Sequence, residues 1–125
     1  SDFGGYLDIV ADFAFYVAVP LGFGIAASAN LLPALVLVAA FTLTGISFLS
    51  FAVIAANRGL ETAAHGKKSF SYNTGLAEGT ETIIVFVLMC LLPQHFAWLA
   101  YGYAFLCLLT VIQRSLAARA MFAEP

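Results

Sequence analysis

The chain has 125 residues, of which 62% are hydrophobic and only 10% are charged, and its mean hydropathy is +0.97. Because soluble domains carry about 25% charged residues, this composition excludes an ordinary soluble globule. Five basic residues against seven acidic ones give a net charge of -2. The chain therefore lacks the basic surface that nucleic-acid phosphates require, and we expect no nucleic-acid partner.

The first half of the chain predicts two membrane spans. No charged residue occurs between Asp12 and Arg58. As one helix, this stretch would be about twice as long as the hydrocarbon core of a bilayer is thick. It must fold back, and Asn30 and Pro33 favour a turn at residues 28–33. We predict span one over residues 5–29 and span two over residues 32–57.

The second half predicts two further spans around a polar break. No charged residue occurs between Glu81 and Arg114, but Pro93-Gln94-His95 interrupts this apolar run. We predict span three over residues 74–92 and span four over residues 96–118, with a polar loop over residues 58–73. The predicted fold class is all-α, a polytopic bundle of four transmembrane helices forming one domain over residues 1–125.

The basic residues predict the orientation of this bundle. An even number of spans places both chain ends and the polar loop on one face of the membrane. All five basic side chains fall on that face: Arg58, Lys67, Lys68, Arg114 and Arg119. The positive-inside rule makes this face cytoplasmic.

Two acidic residues lie within span one, which is costly unless they have a function or a partner. Asp8 and Asp12 are four residues apart and share one helix face, and Gly4 lies one further step of four before them. Two carboxylates one turn apart can ligate a divalent cation, and a glycine lets a bulky ligand approach the backbone. Alternatively, these acids mark a helix start near the headgroups, where they suit the positive end of the helix dipole.

A second group of polar residues could bind a substrate on the same face. Glu78 and Glu81 share one face at the start of span three. Lys67, Lys68 and Arg114 are the cations best placed to reach a bound phosphate. Each has a plainer alternative: the glutamates as first-turn capping residues, the lysines as cytoplasmic anchors, and Arg114 as a side chain that extends to the interface.

The stripe of Gly4, Asp8 and Asp12 resembles the second half of the signature of CDP-alcohol phosphatidyltransferases. That signature is D-x-x-D-G-x-x-A-R and, after eight residues, G-x-x-x-D-x-x-x-D. The resemblance continues through Phe13-Ala14-Phe15-Tyr16 and Val19-Pro20-Leu21-Gly22. Two later segments are similar to a poorly characterised bacterial inner-membrane branch of this family: Lys68-Ser69-Phe70 and Gly75-Leu76-Ala77-Glu78-Gly79-Thr80-Glu81-Thr82.

This resemblance implies a six-span homodimeric enzyme of the bacterial inner membrane with its active site facing the cytoplasm. Such enzymes transfer a phosphatidyl or related phosphoalcohol group from a CDP-alcohol donor to an acceptor alcohol and release CMP, as a step of phospholipid biosynthesis. By resemblance, Asp8 would be a ligand of a divalent metal, Mg²⁺ or Mn²⁺. Asp12 would be the catalytic base and a second metal ligand, and Gly4 would lie against the nucleotide.

The chain departs from the family pattern at its start. Only three residues precede Gly4, so the first half of the signature does not occur in this sequence. We therefore expect the chain to hold spans three to six of a longer enzyme and to be inactive alone. Two other functions stay open. An ion-coupled transporter could use the same carboxylates to carry protons or cations, and a non-catalytic membrane scaffold would lack the upstream aspartates.

Overall fold

The computed structural model describes residues 1–59 and 79–123 of the chain. Within these residues the regular structure is helical throughout, which confirms the all-α class. In chain order the elements are α1 (Asp2–Ala26), a 3-10 turn (Ser28–Asn30), α2 (Leu31–Asn57), α3 (Gly79–Leu91), a second 3-10 turn (Pro93–His95) and α4 (Phe96–Phe122).

The predicted turn between the first two spans is confirmed. Helix α1 ends because Ala27 adopts an extended backbone, with φ -152° and ψ 134°. The side-chain amide of Asn30 then donates to the carbonyl of Phe23 over 3.3 Å, which fastens the turn to the last turn of α1. Pro33 lies in the first turn of α2, where its missing N–H costs no intrahelical hydrogen bond.

Three stretches of the described chain are long and apolar enough to cross a membrane: Asp2–Ala26, Ser28–Asn57 and Pro93–Phe122. Helix α3 is apolar but has 13 residues, which is a length of roughly 20 Å. That is less than the thickness of a hydrocarbon core, so the described part of α3 does not span one. Helix α3 corresponds to span three, predicted over residues 74–92. The first part of that span, residues 74–78, lies outside the described residues.

The buried core lies around α2, against which α1 and α4 pack. The ring of Tyr16 stacks on Phe41 with centroids 5.5 Å apart, and Phe23 stacks on Phe96 at 4.6 Å. Phe41 also meets Tyr103 edge to face at 6.1 Å. The largest core side chains from α2, α3 and α4 are Leu37, Phe41, Phe86, Met89, Phe96, Tyr103 and Cys107.

One end of the bundle, which we call the Arg58 end, brings together the end of α2 and the end of α4. The Arg58 guanidinium donates to the carbonyl of Met121 over 3.2 Å and lies over the ring of Phe122, 5.6 Å from its centroid. Phe51 packs on the same ring at 5.0 Å. Helix α1 begins at this end as well, so the predicted functional residues that the structure describes share one end of the bundle.

Candidate functional site

A cavity of about 410 Å³ opens near the Arg58 end, and we call it the Asp8–Asp12 cavity. Residues from α1, α2, α3 and α4 line it, so it lies between the helices and not on the surface of one helix. Its lining residues are Gly5, Asp8, Ile9, Asp12, Phe13, Tyr16, Phe41, Thr44, Phe48, Gly79, Thr82 and Arg114. The structure therefore brings both predicted metal-ligating aspartates and the predicted cation Arg114 to one cavity.

The α1 wall of this cavity follows the helical repeat. Its members are separated by steps of three and four residues, which place them on one face: Gly5, Asp8, Ile9, Asp12, Phe13 and Tyr16. Asp8 and Asp12 are solvent-exposed. Within residues 1–59 and 79–123, neither carboxylate has an ion pair or a hydrogen bond with another side chain. Both are therefore available to a ligand that enters the cavity.

Gly4, the residue expected to lie against a nucleotide, is not among the lining residues, and its neighbour Gly5 takes that place. At roughly 100° of rotation per residue, the lining face is centred near Asp12 and Tyr16, and Gly4 lies at its edge. The Gly4 amide instead donates to the Ser1 hydroxyl over 3.1 Å, which caps the start of α1. The close backbone approach predicted for Gly4 is better met by Gly5, where an added Cβ would meet no atom within 4 Å.

Arg114 forms the opposite wall and is only 3% exposed. Its Nη1 atom donates to the hydroxyl of Ser47 over 2.8 Å and to the carbonyl of Thr44 over 3.3 Å. The guanidinium also lies over the ring of Phe48, 5.7 Å from its centroid. Arg114 therefore faces the bundle interior and does not extend to the interface, and its charge is held against one turn of α2.

Helix α3 contributes Gly79 and Thr82 to the cavity, but the neighbouring Glu81 is exposed and is not a lining residue. Thr82 is held in place by a hydrogen bond of 2.7 Å between its hydroxyl and that of Tyr103, and both residues are buried.

Three predicted substrate-binding residues cannot be placed. Lys67, Lys68 and Glu78 lie outside the described residues. The predicted roles of these side chains therefore stay predictions.

The donor set of the cavity is compatible with a divalent cation bound together with a phosphate ligand. In the described parts of the chain, no group of three or more His, Cys, Asp or Glu side chains is arranged to hold a metal ion. Asp8 and Asp12 supply two carboxylates about one helical turn apart. Mg²⁺ is commonly held by one or two carboxylates, with substrate phosphates and water completing its shell. The two aspartates therefore fit such an ion as a partial ligand set.

Sequence reasoning missed the residues that hold Arg114 and Thr82 in position. Thr44 and Ser47 carry a usable signal, because two hydroxyl residues three apart in an apolar helix can partner a buried cation elsewhere in the bundle. Tyr103 has no such signal in the sequence. Its pairing with Thr82 depends on how α3 packs against α4.

A curated bacterial protein is similar to most of this chain. Inner membrane protein YnjF of Escherichia coli (strain K12) is 49% identical over 115 residues, which are 91% of this chain and 56% of that protein. The chain thus spans about half the length of the curated relative it matches. No protein-family model matches the chain, and no solved structure matches it. The relative's name and the apolar helices together support a membrane location for this chain.

Proposed function

We propose that this chain is part of an integral membrane CDP-alcohol phosphotransferase, with its catalytic carboxylates in the Asp8–Asp12 cavity. The observation that carries the proposal is that Asp8, Asp12 and the buried Arg114 line one cavity between the helices. Two carboxylates and a guanidinium that face one space are more typical of a binding site for a diphosphate-containing substrate than of a packed apolar core. The partial resemblance to the family's signature at Asp8 and Asp12 supports the same reaction class.

In the proposed reaction, the acceptor's hydroxyl oxygen bonds to the phosphorus that carries the donor alcohol, and the bond from that phosphorus to CMP breaks. Asp12 takes the proton of the acceptor hydroxyl as a general base. Asp8 and Asp12 would hold a divalent cation, Mg²⁺ or Mn²⁺, which when bound offsets the negative charge of the diphosphate.

Arg114 is the proposed contact for an anionic part of the substrate. Its attachment to Ser47 and Thr44 fixes the position of the guanidinium before any ligand binds, which lowers the cost of ordering it. A phosphorylated acceptor alcohol would use this charge. Lys67 and Lys68 belong to the same proposal as further phosphate contacts, and Glu78 and Glu81 as further polar contacts.

The proposal places the Arg58 end on the cytoplasmic side of a bacterial inner membrane, in agreement with the positive-inside rule. The D-x-x-D-G-x-x-A-R half of the signature and two more spans would come from residues that precede this chain in the full-length protein, which would act as a homodimer. The relative's greater length is compatible with this arrangement.

The test is an assay of the full-length protein for CMP release from CDP-diacylglycerol, with Mg²⁺ or Mn²⁺, across a panel of acceptor alcohols. We expect metal-dependent release with at least one acceptor. Asp12→Asn should lower turnover by about a hundredfold or more, the usual contribution of a general base. Asp2→Asn is the matched control, because Asp2 lies on the same helix outside the cavity lining. Turnover of Asp12→Asn equal to that of Asp2→Asn would overturn the role of Asp12.

A further inference from the structure

Helix α1 contains a proline in its interior, Pro20, whose side chain is fully buried. Proline has no N–H, and its ring conflicts with the carbonyl four residues earlier, so the hydrogen-bond ladder of α1 lacks one bond at this point. Pro33, by contrast, lies in the first turn of α2, where no ladder bond is lost. Sharp bends in helices occur at interior prolines. The ladder of α1 is therefore interrupted six residues before its last residue, Ala26.

The short part of α1 that begins with Pro20 is firmly held. The ring of Phe23 stacks on Phe96 of α4, with centroids 4.6 Å apart. Gly24 is buried and lies so close to α2 that an added Cβ atom would be 2.9 Å from the Cβ atom of Ala34. The side-chain amide of Asn30 donates to the carbonyl of Phe23 over 3.3 Å. This part of α1 is thus fixed by two other helices and by the turn that follows it.

The long part of α1, residues 2–19, is held differently. In the described chain the buried residues of α1 are Pro20 and Gly24, so none lies before the proline. Tyr16, one turn before the proline, stacks on a ring of α2. Further toward the Arg58 end, the Asp8–Asp12 cavity of about 410 Å³ lies between α1 and the other helices. Open space, and not packed side chains, therefore separates the lining face of the first turns of α1 from the wall formed by α4.

The two aspartates lie far from the interrupted ladder. At about 1.5 Å per residue, Asp8 is about 18 Å and Asp12 about 12 Å from Pro20 along the helix axis. A pivot of about 10° at the proline would move Asp8 by about 3 Å but Tyr16 by only about 1 Å. The stacking contact of Tyr16 would be kept while the carboxylates approach or leave the opposite wall. Arg114 would stay in place, because α2 holds its guanidinium.

We propose that Pro20 is a hinge, and that the part of α1 before it pivots to open and close the Asp8–Asp12 cavity. Hinges of this kind are a few residues that absorb the change in backbone angles between two packed parts. A ligand that contacts both the aspartates and Arg114 stabilises the closed form, since it makes both sets of contacts only there. The effect of the ligand rests on the function proposed above, whereas the pivot itself does not.

The experiment measures distances between pairs of spin labels on the full-length protein by pulsed electron paramagnetic resonance. One label replaces Ile112 of α4, and the second replaces either Val10 before the hinge or Ile25 after it. These three side chains are 55%, 47% and 77% exposed, and none lines the cavity. Labelling requires Cys90→Ala, because Cys90 is exposed, whereas Cys107 is buried. Dilution into unlabelled protein restricts the measurement to distances within one chain.

Without ligand, we expect the distances from Val10 to Ile112 to be spread more widely than those from Ile25 to Ile112. The difference should be about 3 Å, the displacement of Val10 in a pivot of about 10°. Pro20→Ala should remove most of this excess width, because alanine restores the missing N–H and is the best helix former. Pro33→Ala is the matched control, since it changes a second buried proline whose N–H the helix does not need.

Loss of the excess width in Pro20→Ala, with Pro33→Ala unchanged, supports the hinge. Equal widths for the labels at Val10 and Ile25 would overturn it, and so would an excess width that Pro20→Ala leaves in place.

Mg²⁺ together with CDP-diacylglycerol is the probe for closure, and calorimetry measures its binding separately. We expect bound probe to narrow the distances from Val10 to Ile112 and to shift them by up to about 3 Å toward shorter values. Binding without any shift would show that the cavity does not close by this motion. Absence of binding would count against the proposed reaction, while the widths measured without ligand still decide whether Pro20 is a hinge.

Discussion

The hydroxyl of Ser47 accepts a hydrogen bond of 2.8 Å from Arg114, and it donates in turn to the carbonyl of Thr44 over 2.9 Å. Ser47 thus uses both its acceptor and its donor to fix a cation that is 3% exposed. A charged side chain at membrane depth is tolerated where such partners satisfy it. This relationship links the packing of α2 against α4 to the position of the charge in the Asp8–Asp12 cavity.

Ser47→Ala should therefore destabilise the protein more than the loss of an ordinary surface hydroxyl. Hydrogen bonds to charged groups contribute about 1.5–3 kcal/mol, and we expect a decrease in the free energy of unfolding of that size. Chemical unfolding in detergent micelles, followed by circular dichroism, measures it. Ser28→Ala is the control, because Ser28 is exposed in the turn after α1. An equal stability of the two variants would contradict the proposed importance of Ser47.

Tyr103→Phe tests the attachment of α3 to α4. The hydroxyls of Tyr103 and Thr82 are 2.7 Å apart, and both residues are buried. Removing the phenol oxygen should lower the free energy of unfolding by about 1 kcal/mol, the usual net value of a neutral hydrogen bond. Tyr101→Phe, which changes an exposed tyrosine on the same helix, should have little effect.

A double-mutant cycle with Thr82→Val isolates the pair. If the two hydroxyls stabilise the fold through each other, the combined variant should be less destabilised than the sum of the single variants. Strict additivity of the two changes would show that the hydrogen bond between them contributes nothing to stability.

Local sequence signals predicted the turns and the long helices well. Asn30 and Pro33 placed the first reversal correctly, because the amide and the proline act within their own turn. The break predicted at Pro93-Gln94-His95 is also present, and the structure shows it as a 3-10 turn. The even number of predicted spans also placed the aspartates of α1 and Arg114 of α4 at one end of the bundle, since consecutive spans alternate in direction.

Features that depend on packing between helices could not be predicted from single-residue patterns. Gly5 and not Gly4 lines the cavity because the rotation of α1 is set by its contacts with α2, such as Tyr16 on Phe41. The partners of Arg114 are also tertiary, since Ser47 is 67 residues away in sequence. The roles of Asp8 and Asp12 stay predictions, although their common cavity agrees with them.

Gly24→Ala tests the close approach of α1 to α2 at the end opposite Arg58. A Cβ atom at Gly24 would lie 2.9 Å from the Cβ atom of Ala34, a distance at which the backbone must shift. Overpacking of this kind costs about 1–3 kcal/mol, and we expect a loss of stability in that range. Gly102→Ala is the control, because an added Cβ there meets nothing within 4 Å.

The control should keep or slightly raise stability, since alanine is the better helix former by about 1 kcal/mol. Thermal unfolding of both variants in detergent is the measurement. If Gly24→Ala proved as stable as Gly102→Ala, the two helices would not be in contact at this glycine.

Gly45→Ala tests whether the packing beneath the Asp8–Asp12 cavity controls the site. A Cβ atom at Gly45 would lie 3.0 Å from Cε1 of Phe13, so the ring must move by a few tenths of an ångström. Phe13 lines the cavity beside Asp12 and meets Tyr16 edge to face at 5.3 Å. Moving the ring should therefore change the shape of the cavity without removing a polar group.

For the reaction proposed above, we expect Gly45→Ala to raise KM several-fold in the full-length protein and to change kcat less, since the aspartates keep their places on α1. The effect should be moderate, because the Phe13 ring needs to move by only a few tenths of an ångström. Gly22→Ala, also on an apolar helix but with open space around the new Cβ, is the control. Unchanged KM in Gly45→Ala, with stability equal to the control, would mean that the substrate does not contact the wall formed by Phe13.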